Sequence, residues 1–167
     1  RTLNEAQSIS GLSDGFWLTT WVSLSILLIC LGLLVRRSAT APSLKLNGLL
    51  AATAAVWVPV AAITLTDILS AYHYGVLQHR CPWCLFLPQY RVVGFPLFGA
   101  LAIIGFESLT AFLLPVAVRT DPQMLPAALE RSRVAAGRVL LALLVFLFLT
   151  VLPPLCWHLR FSVWIDG

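Results

Sequence analysis

The sequence predicts an all-α integral membrane protein, a four-helix transmembrane bundle with both termini on the outer side of the membrane. Of its 167 residues, 59% are hydrophobic and 11% are charged, whereas soluble domains carry about 25% charged residues. The mean hydropathy is +0.90, and four long apolar runs follow one another. Because a chain with so little polar surface cannot cover its apolar residues in water, lipid must be its solvent. The net charge of +4 is spread over loops and gives no indication of a nucleic-acid partner.

The apolar runs define four spans in one domain that covers residues 1–167. A run of about 20 residues forms a helix about 30 Å long, which matches the hydrocarbon core of a bilayer. Pro59 predicts a kink in the second span, because a proline removes one backbone donor and clashes with the preceding turn. Glu107 interrupts the third run and is interpreted as a structural acid, either snorkelling or interhelical hydrogen-bonding, rather than one that transfers protons. Pro153 and Pro154 are expected to end the fourth helix. We place the spans at about residues 15–36, 47–72, 90–116 and 137–157.

Basic residues are concentrated in two connectors. The connector at residues 119–138 is predicted to lie at the surface, with one interfacial helical stretch at 125–134. Because basic residues favour the cytoplasmic side, the bias predicts a cell (inner) membrane protein whose termini and second connector face the periplasm or exterior. Seven basic residues lie in the first and third connectors, namely Arg36, Arg37, Lys45, Arg119, Arg131, Arg133 and Arg138, and four lie elsewhere, namely Arg1, Arg80, Arg91 and Arg160.

The second connector carries the sequence His79-Arg80-Cys81-Pro82-Trp83-Cys84. Two cysteines three apart at a helix start can close a disulfide ring, or one thiol can face the positive end of the helix. That end lowers a thiol pKa from about 8.5 toward neutral and makes the thiol a nucleophile. On the outer side disulfides also persist. We therefore favour a redox-active pair over a purely structural disulfide.

A metal or haem site is the alternative interpretation of the same residues. Sulfur and imidazole atoms are the usual ligands of tetrahedral zinc and of iron, and a histidine could ligate haem. The chain would then be an accessory subunit of a membrane electron-transfer or assembly complex. The possible metal ligands are Cys81, Cys84, Cys156 and His158, and the possible haem ligands are His73 and His79.

Four spans with an outer Cys-x-x-Cys at a helix start resemble the DsbB-type disulfide-generating proteins and the bacterial vitamin K epoxide reductase homologues. In the latter, a Cys-Pro-aromatic-Cys that opens an apolar helix is common, as in Cys81-Pro82-Trp83-Cys84-Leu85. The chain differs from both families in carrying a single further outer cysteine, Cys156, where they have a second pair. It also carries Pro88 where the DsbB-type proteins have an arginine.

The resemblance implies a quinone-linked thiol–disulfide oxidoreductase. Cys81 and Cys84 would be the redox pair, with Cys84 nearer a quinone, either ubiquinone or menaquinone. A periplasmic or extracellular thioredoxin-like protein would supply the electrons. Cys156 is predicted to be the resolving or relay thiol for Cys81, on a segment that Pro153 and Pro154 leave free to approach the loop.

Four other side chains are candidates for the quinone site. Arg91, seven residues after Cys84, is predicted to share its helix face about 10 Å along the axis and to contact a quinone headgroup or a lipid phosphate. Asp67 lies seven residues before Tyr74, roughly on one helix face, and an acid within a span normally has a function, here proton delivery to the reduced quinone. His79 is a candidate for ligand binding or proton transfer.

Overall fold

The computed structural model describes residues 14–37, 44–75, 81–121 and 123–162, and in these ranges it contains helices and turns but no strand. The α-helices are α1 (Asp14–Arg37), α2 (Leu44–Thr64), α3 (Ser70–Tyr74), α4 (Gly94–Ala117) and α5 (Leu125–Phe161). A π-helical turn, Leu65–Leu69, joins α2 to α3, and two 3-10 helices, Pro82–Phe86 and Pro88–Tyr90, precede α4.

Four stretches are long and apolar enough to cross a membrane, which confirms the all-α, four-span class. They are Gly15–Arg37, Leu44–Tyr74, Gly94–Ala117 and Leu125–Phe161. The second and fourth are longer than expected at 31 and 37 residues. The side of the membrane on which the termini lie stays a prediction.

The four spans form a closed ring in which α1 packs against α2, α2 against α4, α4 against α5, and α5 against α1. At one end, the Thr64 hydroxyl lies 3.5 Å from the carbonyl oxygen of Trp17, and Gly75 lies against the Trp157 ring. This end holds the start of α1, the end of α3, the start of α4 and the end of α5, and we call it the cysteine end because Cys81 and Cys84 lie there. The opposite end, which carries Arg36, is called the arginine end.

Buried aromatic side chains fill the centre of the ring of helices. Trp57 is fully buried and donates its indole N–H to the Ser25 hydroxyl at 2.8 Å. The Phe146 ring packs edge-on against Trp57 at 5.2 Å and against Trp21 at 6.5 Å between centroids. Aromatic side chains from three spans therefore interlock, and the one polar atom that Trp57 buries has a partner, as burial in lipid requires.

Prolines inside the spans leave backbone carbonyls that neighbouring helices use. Pro115 in α4 has no N–H, so the carbonyl of Ala111, four residues earlier, loses its helical donor. That carbonyl accepts hydrogen bonds from the Asn47 amide of α2 and from the Ser132 hydroxyl of α5, both at 3.0 Å. Asn47, Ala111 and Ser132 are all buried. The proline thus creates an acceptor that ties α2, α4 and α5 together.

A carbonyl freed by a proline is satisfied in the same way in α5, where Pro153 and Pro154 were predicted to break the helix. The prediction is wrong, because α5 runs through both prolines to Phe161. Pro153 deprives the carbonyl of Leu149 of its helical donor, and the imidazole of His73 donates a hydrogen bond to that carbonyl. A neighbouring side chain that satisfies the freed group allows a proline within a membrane helix.

Two predicted boundaries are also wrong. Most of the connector assigned to residues 119–138 is helical, because α5 begins at Leu125 and includes the stretch 125–134. The Cys-x-x-Cys does not open α4, which begins at Gly94. α2 does continue past Pro59 to Thr64.

Glu107 lies buried on α4 toward the arginine end and forms ion pairs with α5. Its Oε1 atom accepts hydrogen bonds from Arg138 at 2.7 Å and from Arg131 at 3.3 Å, and the ion-pair distance from Arg131 to Oε2 is 3.1 Å. The side chain is only 9% exposed, so the two guanidinium groups compensate a carboxylate that would otherwise be costly at this depth. Its role is to hold α4 and α5 together.

Candidate thiol site

The Cys-x-x-Cys lies in a short helical turn between spans two and three. Cys81 has extended backbone angles, and Pro82 supplies the first residue of the 3-10 helix Pro82–Phe86, where its missing N–H costs nothing. The amide of Cys84 closes the turn by donating to the carbonyl of Cys81 at 3.2 Å. The proline and the turn therefore fix the two cysteines next to one another.

The two thiols interact directly, and their pKa values are shifted in opposite directions. The backbone amide of Cys84 lowers the pKa of Cys81, and the Cys84 thiol and the Trp83 amide lower it further. Burial raises the pKa of Cys84, and so do its hydrogen bond to Cys81 and the negative charge there. Cys81 is therefore the more acidic thiol of the pair and Cys84 the less acidic one.

Tyr74 anchors the turn to the end of the second span. Its buried hydroxyl donates a hydrogen bond to the carbonyl of Cys81 at 2.5 Å. Its ring meets Tyr90 edge-on at 4.7 Å between centroids. The predicted candidate Tyr74 thus contacts the thiol loop itself, and it holds the residue whose thiol has the lowered pKa.

A second aromatic group surrounds Phe86, two residues after Cys84 in the same turn. The Phe86 ring stacks on Phe98 at 5.3 Å and meets Phe95 edge-on at 5.0 Å, with Trp83 6.1 Å away. Trp83 is 76% and Phe95 63% exposed. We call Trp83, Phe86, Phe95 and Phe98 the aromatic cluster. It presents exposed aromatic surface at the cysteine end, through Trp83 and Phe95.

Gly94 makes the contact between the turn and α4 possible. A Cβ at this position would lie 3.0 Å from the backbone of Leu85 and from the Phe86 ring. No side chain fits at that distance without a shift of the turn. The first residue of α4 is therefore a site of close backbone approach that fixes the cysteine turn against the third span.

Arg91 is not where the sequence predicted it. It ends the 3-10 helix Pro88–Tyr90 with a positive φ of 57° and is exposed. Because α4 starts only at Gly94, Arg91 does not share a continuous helix face with Cys84, and the expectation of a position two turns deeper is wrong. Its predicted role toward a quinone headgroup or a lipid phosphate loses that geometric basis.

The other predicted site residues divide into three groups. Asp67 is buried in the π-helical turn Leu65–Leu69 below Tyr74, so an acid does lie within the second span near the cysteine end. His79 lies outside the described residues. Cys156 is exposed and His158 is half-buried, both on the last turns of α5 at the cysteine end.

Cys156 lies on a continuous helix, so the mobile segment predicted for a relay thiol is not present. Within the described residues, no group of three or more histidine, cysteine and acidic side chains is arranged to hold a metal ion. Cys81, Cys84, Cys156 and His158 are all described, and the structure does not assemble them into such a group. The relay role of Cys156 stays a prediction, without the mobility that supported it.

Two parts of the site were not predicted from the sequence. Trp83 and Tyr90 were interpreted as part of an aromatic belt at the membrane edge, and the phenylalanines of the aromatic cluster were not considered, although aromatic residues recur from Trp83 to Phe98. This density directly after a Cys-x-x-Cys is the signal that could have indicated them. Their convergence depends on the two 3-10 turns, which place side chains of both segments around Phe86.

Fold and site together define a four-helix membrane protein with a Cys-x-x-Cys turn at one end of its bundle. Comparisons of the chain with protein-family models, with curated proteins and with solved structures find no match. The function is therefore inferred from the site.

Proposed function

We propose that the protein is a quinone-linked membrane thiol–disulfide oxidoreductase whose redox pair is Cys81 and Cys84. The observation that carries the proposal is the direct interaction of the two thiols, in which Cys81 has a lowered and Cys84 a raised pKa. A pair held this way closes a disulfide with little movement, and a pair of unequal thiols is suited to exchange. The resemblance to DsbB-type proteins and vitamin K epoxide reductase homologues suggests the same chemistry.

The proposed reaction has two balanced steps. A partner dithiol attacks the Cys81–Cys84 disulfide through a mixed disulfide, and it leaves as the partner disulfide while the pair becomes a dithiol. The dithiol then gives up two electrons and two protons to a quinone, so that the disulfide re-forms and a quinol is released. The partner of the first step would be a thioredoxin-like protein on the outer side, and the quinone would be ubiquinone or menaquinone.

Cys81 serves both steps through its thiolate. A thiol of lowered pKa leaves readily when a disulfide is attacked, because its anion is stable. The same anion is the electron-rich sulfur when the dithiol is oxidised. Cys84 keeps its proton until its partner sulfur reacts, since burial and the neighbouring charge disfavour a second anion.

The aromatic cluster fits the headgroup of a quinone. A quinone arrives through the lipid as a flat ring, and flat rings bind between aromatic side chains in offset or edge-on geometry. Trp83 and Phe95 are the exposed members of the cluster, and Trp83 adjoins Cys84 in the chain. We expect the headgroup to lie on this surface, with Cys84 the nearer sulfur. Asp67 is the candidate for proton transfer from inside the span.

Quinone reduction by the purified protein tests the proposal. The protein in detergent, with a reduced thioredoxin-like donor and a short-chain ubiquinone or menaquinone analogue, should convert quinone to quinol with a rate that saturates in both substrates. Cys81→Ser and Cys84→Ser should each abolish this rate, because either substitution removes the disulfide. Cys30→Ser is the matched control, since Cys30 lies in α1 away from the cysteine end, and it should leave the rate unchanged.

The same preparation separates the redox proposal from the metal alternative. Metal analysis and a haem absorption spectrum of the purified protein should show less than stoichiometric zinc, iron and haem. A stoichiometric metal that Cys81→Ser removes, together with no quinone reduction, would contradict the redox pair and favour the accessory-subunit interpretation.

A further inference from the structure

A cavity of about 590 Å³ opens at the arginine end, between the end of α1 and the first half of α5. Three arginines and one glutamate line it, so its surface carries an excess of positive charge. Two apolar side chains and one glycine complete the lining. The residues are Arg36, Glu130, Arg133, Val134, Gly137, Arg138 and Leu141, and we call this the arginine cavity.

The charges of the arginine cavity are unequally compensated. Arg138 binds Glu107 at 2.7 Å, and Arg133 binds Glu130 at 3.2 Å. Arg36 is exposed, and no ion pair to it is present among the described residues. Its guanidinium reaches α5 at Gly137, where an added Cβ would lie 3.9 Å from Nη1. Glycine at 137 therefore leaves room beside a guanidinium that no acidic side chain pairs with in the described part of the chain.

The position of the cavity along the spans sets it at a membrane boundary. Residues 139–159 of α5 carry no charge and would span about 30 Å as helix, the thickness of a bilayer core. The charge-free run of α1 likewise ends immediately before Arg36. Arg36 and Arg138 thus lie where the charge-free runs of two neighbouring spans end, the region in which basic side chains meet anionic headgroups.

Apolar surface continues from the cavity toward the lipid. Leu141 is 64% and Val134 43% exposed, on the same helix as Arg133 and Arg138. A free anion would use the guanidinium groups alone, whereas a lipid would use both the arginines and this apolar flank. Basic pockets between spans are a recognised way to bind anionic headgroups, and guanidinium groups match phosphate oxygens in geometry.

We propose that the arginine cavity binds one anionic phospholipid, with its phosphate at Arg36, Arg133 and Arg138 and an acyl chain along Val134 and Leu141. This site is independent of the cysteine end and of the proposed redox reaction. Its charge selects anionic over zwitterionic headgroups, and its apolar flank selects lipid over a soluble phosphate. The bound lipid would join α1 to the α4–α5 pair, because Arg36 belongs to the first and Arg138 is held by Glu107 to the second.

Lipid binding to the purified full chain in dodecyl maltoside tests the proposal. Native mass spectrometry with dioleoyl phosphatidylglycerol should show one saturable lipid, and the unfolding temperature should rise with this lipid but not with dioleoyl phosphatidylcholine or inorganic phosphate. Arg36→Ala should weaken phosphatidylglycerol binding about fivefold, the effect of one basic residue near the phosphate. Gly137→Leu should weaken it as well, because the side chain fills the cavity without changing the charge.

Arg37→Ala is the matched control. Arg37 is the exposed neighbour of Arg36 on α1 and lies outside the cavity lining, so its loss should change the affinity less than twofold. Equal losses for Arg36→Ala and Arg37→Ala would contradict a specific site and indicate diffuse attraction. Equal stabilisation by inorganic phosphate, or by phosphatidylcholine, would contradict the lipid assignment.

Discussion

The side-chain amide of Asn47 lies 3.0 Å from the carbonyl oxygen of Ala111, the group that Pro115 leaves without its helical donor. A buried asparagine on one span and a proline on another are thus parts of one interaction. This interaction cannot be recognised in the sequence, because 64 positions separate the donor Asn47 from the acceptor Ala111.

Asn47→Ala should destabilise the protein by about 1 kcal/mol, the usual cost of an interhelical hydrogen bond in a membrane. Combined with Pro115→Ala, the same substitution should cost less, because the new backbone N–H at position 115 satisfies the Ala111 carbonyl. Unfolding in sodium dodecyl sulfate of the two single variants and the double variant measures this coupling. Equal costs of Asn47→Ala in both backgrounds would show that the proline does not create the acceptor.

Glu107→Gln should destabilise the protein by about 1–3 kcal/mol. The neutral amide leaves Arg131 and Arg138 without the charge they surround, and hydrogen bonds to charged groups are worth about that much. Glu130→Gln is the control, since the ion pair of Glu130 with Arg133 is exposed and such pairs contribute about 0–1 kcal/mol. The same unfolding measurement compares the two. A cost for Glu130→Gln as large as that for Glu107→Gln would contradict the role assigned to burial.

Alkylation of Cys81 should reach its maximal rate at a lower pH than alkylation of Cys84. The pKa of Cys81 is lowered, so its thiolate is already populated where an ordinary thiol is protonated. The same shift stabilises the folded protein above the ordinary thiol pKa, and this stabilisation is lost as the pH falls through the lowered value. Iodoacetamide labelling between pH 5 and 10, read by peptide mass spectrometry, measures both rates.

In Cys81→Ser the pH profile of Cys84 should move to lower pH. Two of the three causes that raise its pKa, the hydrogen bond to Cys81 and the charge there, disappear. Burial remains, so the pKa of Cys84 should stay above its ordinary value. An unchanged profile would mean that the two sulfurs do not interact in solution.

Tyr74→Phe should lower quinone-reduction turnover about fivefold while leaving the fold intact. The substitution removes only the hydroxyl that donates to the carbonyl of Cys81, and one such bond is worth about 1 kcal/mol in placing the turn. Tyr90→Phe is the matched control, because the ring contact between the two tyrosines, 4.7 Å between centroids, is kept. Steady-state rates and the Cys81 alkylation profile of both variants check the prediction. Turnover equal in the two variants would exclude an anchoring role of the Tyr74 hydroxyl.

The span number was predictable because charge-free runs of the length of a bilayer core are visible in the sequence. What the sequence did not show is where helices continue through polar or proline-containing segments. α5 begins at Leu125 because residues 125–138 pack on α4 through Ser132 and the Glu107 ion pairs. It continues past Pro153 because His73, on another span, satisfies the carbonyl of Leu149. The start of α5 and its continuation past Pro153 both depend on contacts between residues that are far apart in the sequence.

The thiol pair was predictable from spacing alone, and its surroundings only in part. Tyr74 was included as a candidate for a helix face shared with Asp67, and its hydrogen bond to the carbonyl of Cys81 was not foreseen. Arg91 was misplaced because the two 3-10 turns interrupt the expected helix, and the positive φ at Arg91 does not follow from its residue type. Local helix propensity does not predict such turns when a close contact between distant parts of the loop, such as that of Gly94 with Leu85, determines where they form.

The most direct test of the redox pair is a single-turnover measurement on the fully reduced protein in detergent. Addition of excess quinone should form one Cys81–Cys84 disulfide and one quinol per protein molecule at the same rate, measured by rapid quenching with maleimide, peptide mass spectrometry and quinol absorbance. Equal rates and a ratio of one would establish that the pair delivers its electrons to quinone. If Cys81 and Cys84 stay reduced in the presence of quinone, or if quinol forms equally in Cys81→Ser, the proposed function is contradicted.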